Sequence, residues 1–108
     1  MAEELAGTLT ARVAIESWVS ARDDAGTDAG HWQAVGPAWA AIVPDGGGGI
    51  AGAARRSQRR WLVMLRAPVA VSLTSRLIWN GDILAVRAVE TDPRRPERIR
   101  LRCEGQIP

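Results

Sequence analysis

Apolar and polar residues alternate over several short stretches of this chain, with turn-forming residues between them. Residues 9–22 set Val13 and Ile15 among polar or small neighbours. Because successive side chains of a strand point to opposite faces, this period predicts a half-buried β-strand. Asp and Gly dominate residues 23–30, which predicts a hairpin connection after it.

Residues 31–43 form a second predicted strand. Pro37 marks a bend, a bulge or an edge within it. One face of this strand carries Trp32, Trp39, Ala41 and Val43. The next apolar run, residues 61–65, lies between two arginines and is short enough for a strand buried on both faces.

The C-terminal part of the chain contains further extended segments. Residues 69–74 lead into residues 76–79, and Asn80 and Gly81 separate these from residues 82–89. Asn-Gly between two apolar runs predicts a two-residue type I′ hairpin turn, because both positions need positive φ. A break follows at residues 92–96, and residues 98–104 then alternate strictly, so Ile99, Leu101 and Cys103 are predicted to face the core.

Residues 44–60 interrupt this pattern between the second and third strands. The segment contains Gly46, Gly47, Gly48 and Gly49, followed by Arg55, Arg56, Arg59 and Arg60. It is predicted to be a long flexible loop, because glycines have high backbone entropy to lose on ordering. About six strands and no convincing amphipathic helix predict an all-β fold, a small six-stranded barrel or sandwich forming one domain over residues 1–108.

The charge is distributed unevenly along the chain. All basic residues are arginine, and residues 1–54 contain two of them against seven acidic residues, whereas residues 55–108 contain twelve against five. One interpretation is a dipolar surface that meets an acidic partner with one face. The other is that the two halves interleave and their charges cancel locally.

Chemistry-bearing residues are sparse. His31 and Cys103 are the single histidine and cysteine, too few for a catalytic relay or a typical structural zinc site. The four glycines are not followed by Gly-Lys-Ser/Thr, so a phosphate-binding loop is excluded. A calcium loop counted from Asp24 would have Gly26 and Val35 where oxygen ligands belong. We therefore expect no enzymatic activity, no cofactor and no metal.

A membrane role is also not expected. The longest charge-free stretch, between Asp28 and Asp45, is short and polar for a membrane span. Glu3 and Glu4 stand where a signal peptide would carry positive charge. The sequence predicts a protein made in the cytoplasm.

Two features are candidate interfaces. Arg98, Arg100 and Arg102 share one face of the last predicted strand, roughly 6.6–6.8 Å apart. They form either a solvated face paired with Glu90 or Glu97, or an interface stripe. Trp18 falls on the polar side of its strand and is a candidate exposed anchor, since Trp is enriched at interface hot spots.

The order of these features resembles the phage head-tail joining family, the head-completion, stopper or adaptor proteins of tailed phages and gene transfer agents. The resemblance covers residues 7–105 and rests on the segment from Trp39 to Pro44, on residues 61–66, and on the hairpin from Arg76 to Val86. It implies a small β-barrel with a long excursion after the second strand. It also implies a virion protein of the head-tail connector.

The resemblance further implies a set of partners. Protomers would form a ring beside the portal and adaptor proteins, retain packaged double-stranded DNA and dock tail or tail-terminator proteins. The loop would point toward the central channel, where its arginines would meet DNA or a neighbouring subunit. We expect a monomer in isolation, which assembles into a ring on a template.

An alternative remains open beside this interpretation. The basic half of the chain could form the groove of an oligonucleotide-binding barrel. Trp61 and Trp79 are the candidates for its base-stacking platform.

Overall fold

The chain folds as a closed antiparallel β-barrel. The computed structural model describes residues 9–22, 24–26, 29–45 and 59–105. Neighbouring strands follow the order β1-β2-β3-β6-β5-β4, and pairing of β4 with β1 closes the barrel. This confirms the predicted all-β class and the count of six strands. The strands are β1 (Ala11–Val19), β2 (His31–Pro44), β3 (Arg60–Arg66), β4 (Ser75–Trp79), β5 (Asp82–Asp92) and β6 (Arg95–Gly105).

Alternating side chains fill the barrel interior. The prediction for the last strand is confirmed, because Ile99, Leu101 and Cys103 are all buried. Burial of this apolar surface is the main favourable contribution to folding. The other buried members of the core are Val13, Ile15, Ala40, Val63, Leu65, Leu77, Leu84 and Val86.

Strand β3 is buried on one face and not on both as its continuous apolar run predicted. Val63 and Leu65 are fully buried inside the barrel, whereas Leu62 and Met64 are partly exposed on the outer side. A barrel of this kind has no second layer to cover its outside. The apolar run therefore serves the core with every second residue only.

Two of the three register irregularities in the described strands change which side chains face outward. In the pairing of β1 with β2, Ile15 lies opposite Gly36 and Glu16 lies opposite Ala34, so Val35 is an extra residue. A bulge of this kind reverses the alternation on its own strand. It brings Trp32 to the same outer face as Trp39. The bulge lies at Val35, two residues before Pro37, where the sequence predicts the irregularity.

The second irregularity lies in β5. Val86 is opposite Cys103 and Ala88 is opposite Arg102, which leaves Arg87 as the extra residue. Val86 is buried, and without the bulge Glu90 would share its inward face. With the bulge, Glu90 lies opposite Arg100 on the outside of the barrel.

The connections between the strands agree only in part with the sequence predictions. The Asn80-Gly81 turn is confirmed, with φ of 51° and 85°. Residues 69–74, predicted as extended, contain no strand; Val69 and Val71 pack against the core instead. The break predicted at residues 92–96 is reduced to a two-residue turn, because β5 continues to Asp92 and β6 begins at Arg95.

Antiparallel order places the connections at two opposite ends of the barrel. We call the loop end the one at which β2 ends and β3 begins, where the Asn80-Gly81 turn and Gly105 also lie. The turn end carries the β1–β2, β3–β4 and β5–β6 connections. The strand β6 runs between them, so Arg98 lies near the turn end and Arg102 near the loop end.

Candidate interaction surfaces

The three predicted stripe arginines lie on the outer face of β6. Ile99, Leu101 and Cys103, which alternate with them, point into the core, so Arg98, Arg100 and Arg102 face outward. At the loop end of the stripe, Arg102 is paired on two sides. Its Nε donates to a Glu90 carboxylate oxygen at 3.2 Å, and its Nη1 donates to both Asp45 carboxylate oxygens at 3.1 and 3.2 Å.

These contacts show that acidic side chains pair with this part of the stripe. The hydrogen bonds to Glu90 and Asp45 raise the pKa of the Arg102 guanidinium above its ordinary value. Arg100 lies 3.8 Å from the other Glu90 oxygen. Pairing with Glu90, one of the two predicted partners, is therefore present at Arg100 and Arg102. The use of the stripe as an interface remains a prediction.

At the turn end of the stripe, Arg98 is paired with the other predicted partner. Glu97 lies 3.8 Å from the Arg98 Nε, the same ion-pair distance as between Arg100 and Glu90 and too long for a hydrogen bond. Arg66 of β3 lies directly opposite Arg98 in the sheet. A groove of about 380 Å³ runs along this side and includes both ends of the stripe; its lining residues are Met64, Glu90, Thr91, Asp92, Arg95, Arg98, Arg100 and Arg102.

Both feet of the predicted loop are fixed to the barrel. The Asp45 N–H donates to the Arg60 carbonyl oxygen at 3.0 Å, and the Gly105 N–H donates to the Arg59 carbonyl oxygen at 2.6 Å. The ion pair of Asp45 with Arg102 joins the other foot of the loop to β6 as well. Among the predicted loop residues, Arg59 and Arg60 are thus placed at the loop end. The remainder, Gly46, Gly47, Gly48, Gly49, Arg55 and Arg56, lie outside the described residues.

Trp18 faces outward, as its position in the alternation predicts, but other side chains cover much of it. Its ring meets Trp32 edge to face, with ring centroids 5.3 Å apart. Arg76 stacks over the other ring of this pair, 4.1 Å from the Trp32 centroid, and its Nε donates to Glu16 at 2.7 Å. Trp18 is therefore only partly exposed, because the β2 bulge brings Trp32 onto it. Its role as an interface anchor is untested.

Trp39 is the most exposed tryptophan. The sequence places it on one face of β2 together with Trp32, but does not single it out as a surface anchor. It is 53% exposed, and the Arg12 guanidinium lies over its ring, with the guanidinium carbon 4.8 Å from the ring centroid. Its neighbour Ala40 is fully buried. The apolar face that the sequence indicated is the outer face of the barrel, and the core is served by smaller residues of the same strand.

Trp61 and Trp79, the candidate base-stacking platform, contact each other edge to face with centroids 5.3 Å apart. Both pack against the barrel core and are partly buried. Stacked nucleic-acid bases need an accessible ring face. This arrangement does not favour the alternative of an oligonucleotide-binding barrel.

The residues with nucleophilic or metal-binding potential lie apart. Cys103 is buried in the core, and desolvation raises the pKa of its thiol to about 12. His31 is exposed at the start of β2. Within the part of the chain that the structure describes, no three His, Cys, Asp or Glu side chains are grouped as metal ligands. The same residues include no helix long and apolar enough to cross a membrane.

The fold and these surfaces define a class of protein: a small closed barrel with a charged and aromatic outer face and a long connection between β2 and β3. A family model described as phage head completion protein matches residues 5–105. This chain therefore belongs to the phage head completion protein family. It is a structural protein of the head-tail connector and a component of a virion or virion-like particle.

Two solved structures illustrate the similarity in fold. The solution structure of protein SF1141 from Shigella flexneri 2a has a TM-score of 0.70 and 18% identity, covering 94% of this chain and 96% of that one. A chain of the virion of a native gene transfer agent particle has a TM-score of 0.66 and 20% identity, covering 89% and 93%. A search of curated proteins found no match to this chain.

Proposed function

We propose that this chain is a ring-forming head-completion or stopper subunit, which retains packaged DNA in the head and provides a docking surface for the tail. The observation that carries this proposal is the family match over residues 5–105. The shared fold with a chain of a gene transfer agent virion supports it. No catalytic step forms part of the proposed role.

The loop end is the proposed DNA-facing part of the subunit. Its two feet are tied to β6 through Arg59, Arg60 and Asp45, so the chain leaves the barrel at a defined place. Arginine binds phosphate strongly and keeps its charge at all relevant pH values. We assign contact with double-stranded DNA, or with the neighbouring subunit, to Arg55, Arg56, Arg59 and Arg60.

Assembly is proposed to depend on a template. The partners would be portal or adaptor ring proteins on the head side and tail or tail-terminator proteins on the other side. A ring uses heterologous contacts that are multiplied by symmetry, so each contact can be weak. The isolated chain is accordingly expected to be a monomer and to form its ring within the particle.

Deletion of the gene tests the role in the particle. We expect electron microscopy to show tailless heads that have lost or leak their DNA. Normal tailed particles filled with DNA would refute the proposal. Re-expression of the intact chain is the control, because it must restore tails if the deletion itself is the cause.

Neutralisation of arginines tests the loop end separately. Arg55, Arg56, Arg59 and Arg60 are changed together to Gln, and the DNA content of particles is measured by nuclease protection. A double variant, Arg87→Gln with Arg94→Gln, removes exposed arginines away from the loop and serves as the control for general charge effects. We expect DNA loss in the fourfold variant, and equal retention in both variants would contradict the assignment.

A further inference from the structure

Two arginines face each other at the turn end without an intervening acid. Arg66 of β3 and Arg98 of β6 are direct cross-strand partners on the outer face. Like charges in this position destabilise a sheet. Arg66 makes no ion pair with any of the described residues, whereas Arg98 has one, with Glu97 at 3.8 Å. The two guanidinium groups therefore carry one more positive charge than the acid beside them compensates.

The second observation concerns a buried donor. The Arg98 Nε is shielded from solvent and has no hydrogen-bond acceptor among the residues the structure describes. Most buried polar atoms in folded proteins have such an acceptor, because leaving one without it is costly. The other two arginines of the stripe have Glu90 nearby, and Arg102 also has Asp45. Among the described residues, the Arg98 Nε is the one buried side-chain donor without an acceptor.

An apolar recess adjoins this pair. It has a volume of about 640 Å³ and is lined by Trp39 and Arg66 together with Leu9, Thr10, Pro37, Ala38, Pro68 and Val69. Trp39 is exposed on the outside of the barrel. Arg66 therefore forms part of the recess and is at the same time the cross-strand neighbour of Arg98. A charged site and an apolar site lie side by side.

We propose that this surface, formed by Arg66, Arg98 and the Trp39 recess, binds an acidic segment of a partner protein. A carboxylate of the segment binds the two guanidinium groups from their solvent-exposed side, and an adjacent apolar side chain enters the recess. Arg and Trp are enriched in the energetically dominant parts of protein interfaces. The excess positive charge at Arg66 and Arg98 is complementary to a carboxylate, which arginine recognises with favourable geometry.

A protein partner fits this surface better than a DNA backbone does. Glu90 and Asp92 line the groove that contains Arg98. A single carboxylate can be held beside Arg98 while it avoids those two acids, whereas a continuous row of phosphates would be repelled by them. The apolar side chains that make up most of the recess favour an apolar side chain of a peptide over a phosphate backbone.

This inference rests on the proposed connector role in one respect, because it takes the partner to be another protein of the particle. Its test uses the isolated full chain and a defined peptide, so it can fail while DNA retention by the loop end stands. The probe is an acetylated and amidated peptide, Ser-Glu-Asp-Leu-Glu-Asp-Gly-Ser. The matched control peptide replaces its acids with the corresponding amides.

Binding is followed by two-dimensional NMR of the ¹⁵N-labelled chain, in which the Trp39 indole N–H reports on the recess. We expect the acidic peptide to shift this signal in a saturable way, and the amide peptide to leave it unchanged. Arg98→Met and Arg66→Met should each raise the dissociation constant by about tenfold or more, as loss of a charge-assisted hydrogen bond implies. Arg87→Met removes an arginine elsewhere on the barrel and should leave the constant unchanged.

Thermal unfolding gives a second readout that separates binding from folding. Because Arg98 is opposed by Arg66 and its Nε lacks an acceptor, Arg98→Met should leave the melting temperature unchanged or raise it. Equal peptide affinity in Arg98→Met and Arg87→Met would overturn the inference. So would saturable binding of a 12-base-pair DNA duplex at Arg98 in the absence of peptide binding.

Discussion

Leu101 is the residue at which the stability of the barrel can be tested most directly. It is fully buried in the middle of β6, where it lies opposite Val63 of β3 and Val89 of β5. The substitution Leu101→Ala removes apolar atoms and leaves a cavity, since the surrounding strands are held by their ladders. Buried Leu→Ala changes cost about 2.7–5.0 kcal/mol, and full burial between two strands places this one at about 3 kcal/mol or more.

That loss is large for a chain of this size. Small domains are stable by about 5–15 kcal/mol, so the variant loses a substantial part of the total. A change of about 3 kcal/mol lowers the melting temperature by about 12 °C or more. Urea unfolding followed by tryptophan fluorescence measures the free energy by linear extrapolation, with an unchanged slope if the unfolded state is unaffected.

The matched control makes the same chemical change on the surface. Leu73 is 65% exposed, so Leu73→Ala should alter the free energy of unfolding by no more than about 0.5 kcal/mol. If the two variants lost equal stability, or if Leu101→Ala lost less than about 1 kcal/mol, Leu101 would not occupy the closed interior described above.

Three further outcomes are expected. Gly30→Ala should destabilise the chain by about 1–3 kcal/mol, because the added Cβ would overlap the Trp18 ring and lie 2.7 Å from the Val19 carbonyl oxygen; chemical unfolding measures this. The Cys103 thiol, with its pKa raised from 9.0 to about 12, should resist alkylation at pH 8 until the protein unfolds. Because the pKa of this thiol is higher in the native state, the native state retains the proton at pH values at which the unfolded state has lost it. The thiol therefore favours folding below pH 9, and its contribution to stability is lost as the pH rises toward 12. Chemical denaturation at several pH values would detect this loss. Asp45→Asn should weaken the tie to Arg102, and faster hydrogen exchange of the residue 45 amide, with unchanged exchange at Leu101, would show it.

The outer surface joins the two oppositely charged halves of the sequence at particular points. Glu16 binds Arg76, and Asp45 binds Arg102, so each pair links the acidic half to the basic half. Local cancellation is thus present at these positions. At Arg66 and Arg98, two positive charges face the single carboxylate of Glu97, so cancellation is incomplete there, and the acidic partner proposed above would use this excess charge.

Local patterns determined much of the fold. Strict alternation in β6 placed Ile99, Leu101 and Cys103 inside, because successive strand side chains must point to opposite faces. Asn80 and Gly81 specified their turn, since both adopt positive φ at low cost. The order of strands and turns also carried the resemblance to the family that the chain belongs to.

The tertiary structure decided which residues meet. Two bulges, at Val35 and Arg87, reverse the alternation and bring Trp32 onto Trp18 and Glu90 beside Arg100. An extra residue reverses the alternation only relative to the strand that it pairs with. The register of that pairing cannot be read from the local sequence of either strand. Closure of the barrel likewise set Arg66 opposite Arg98, although the two residues are far apart in sequence. The binding surface proposed for an acidic partner is therefore a product of strand pairing.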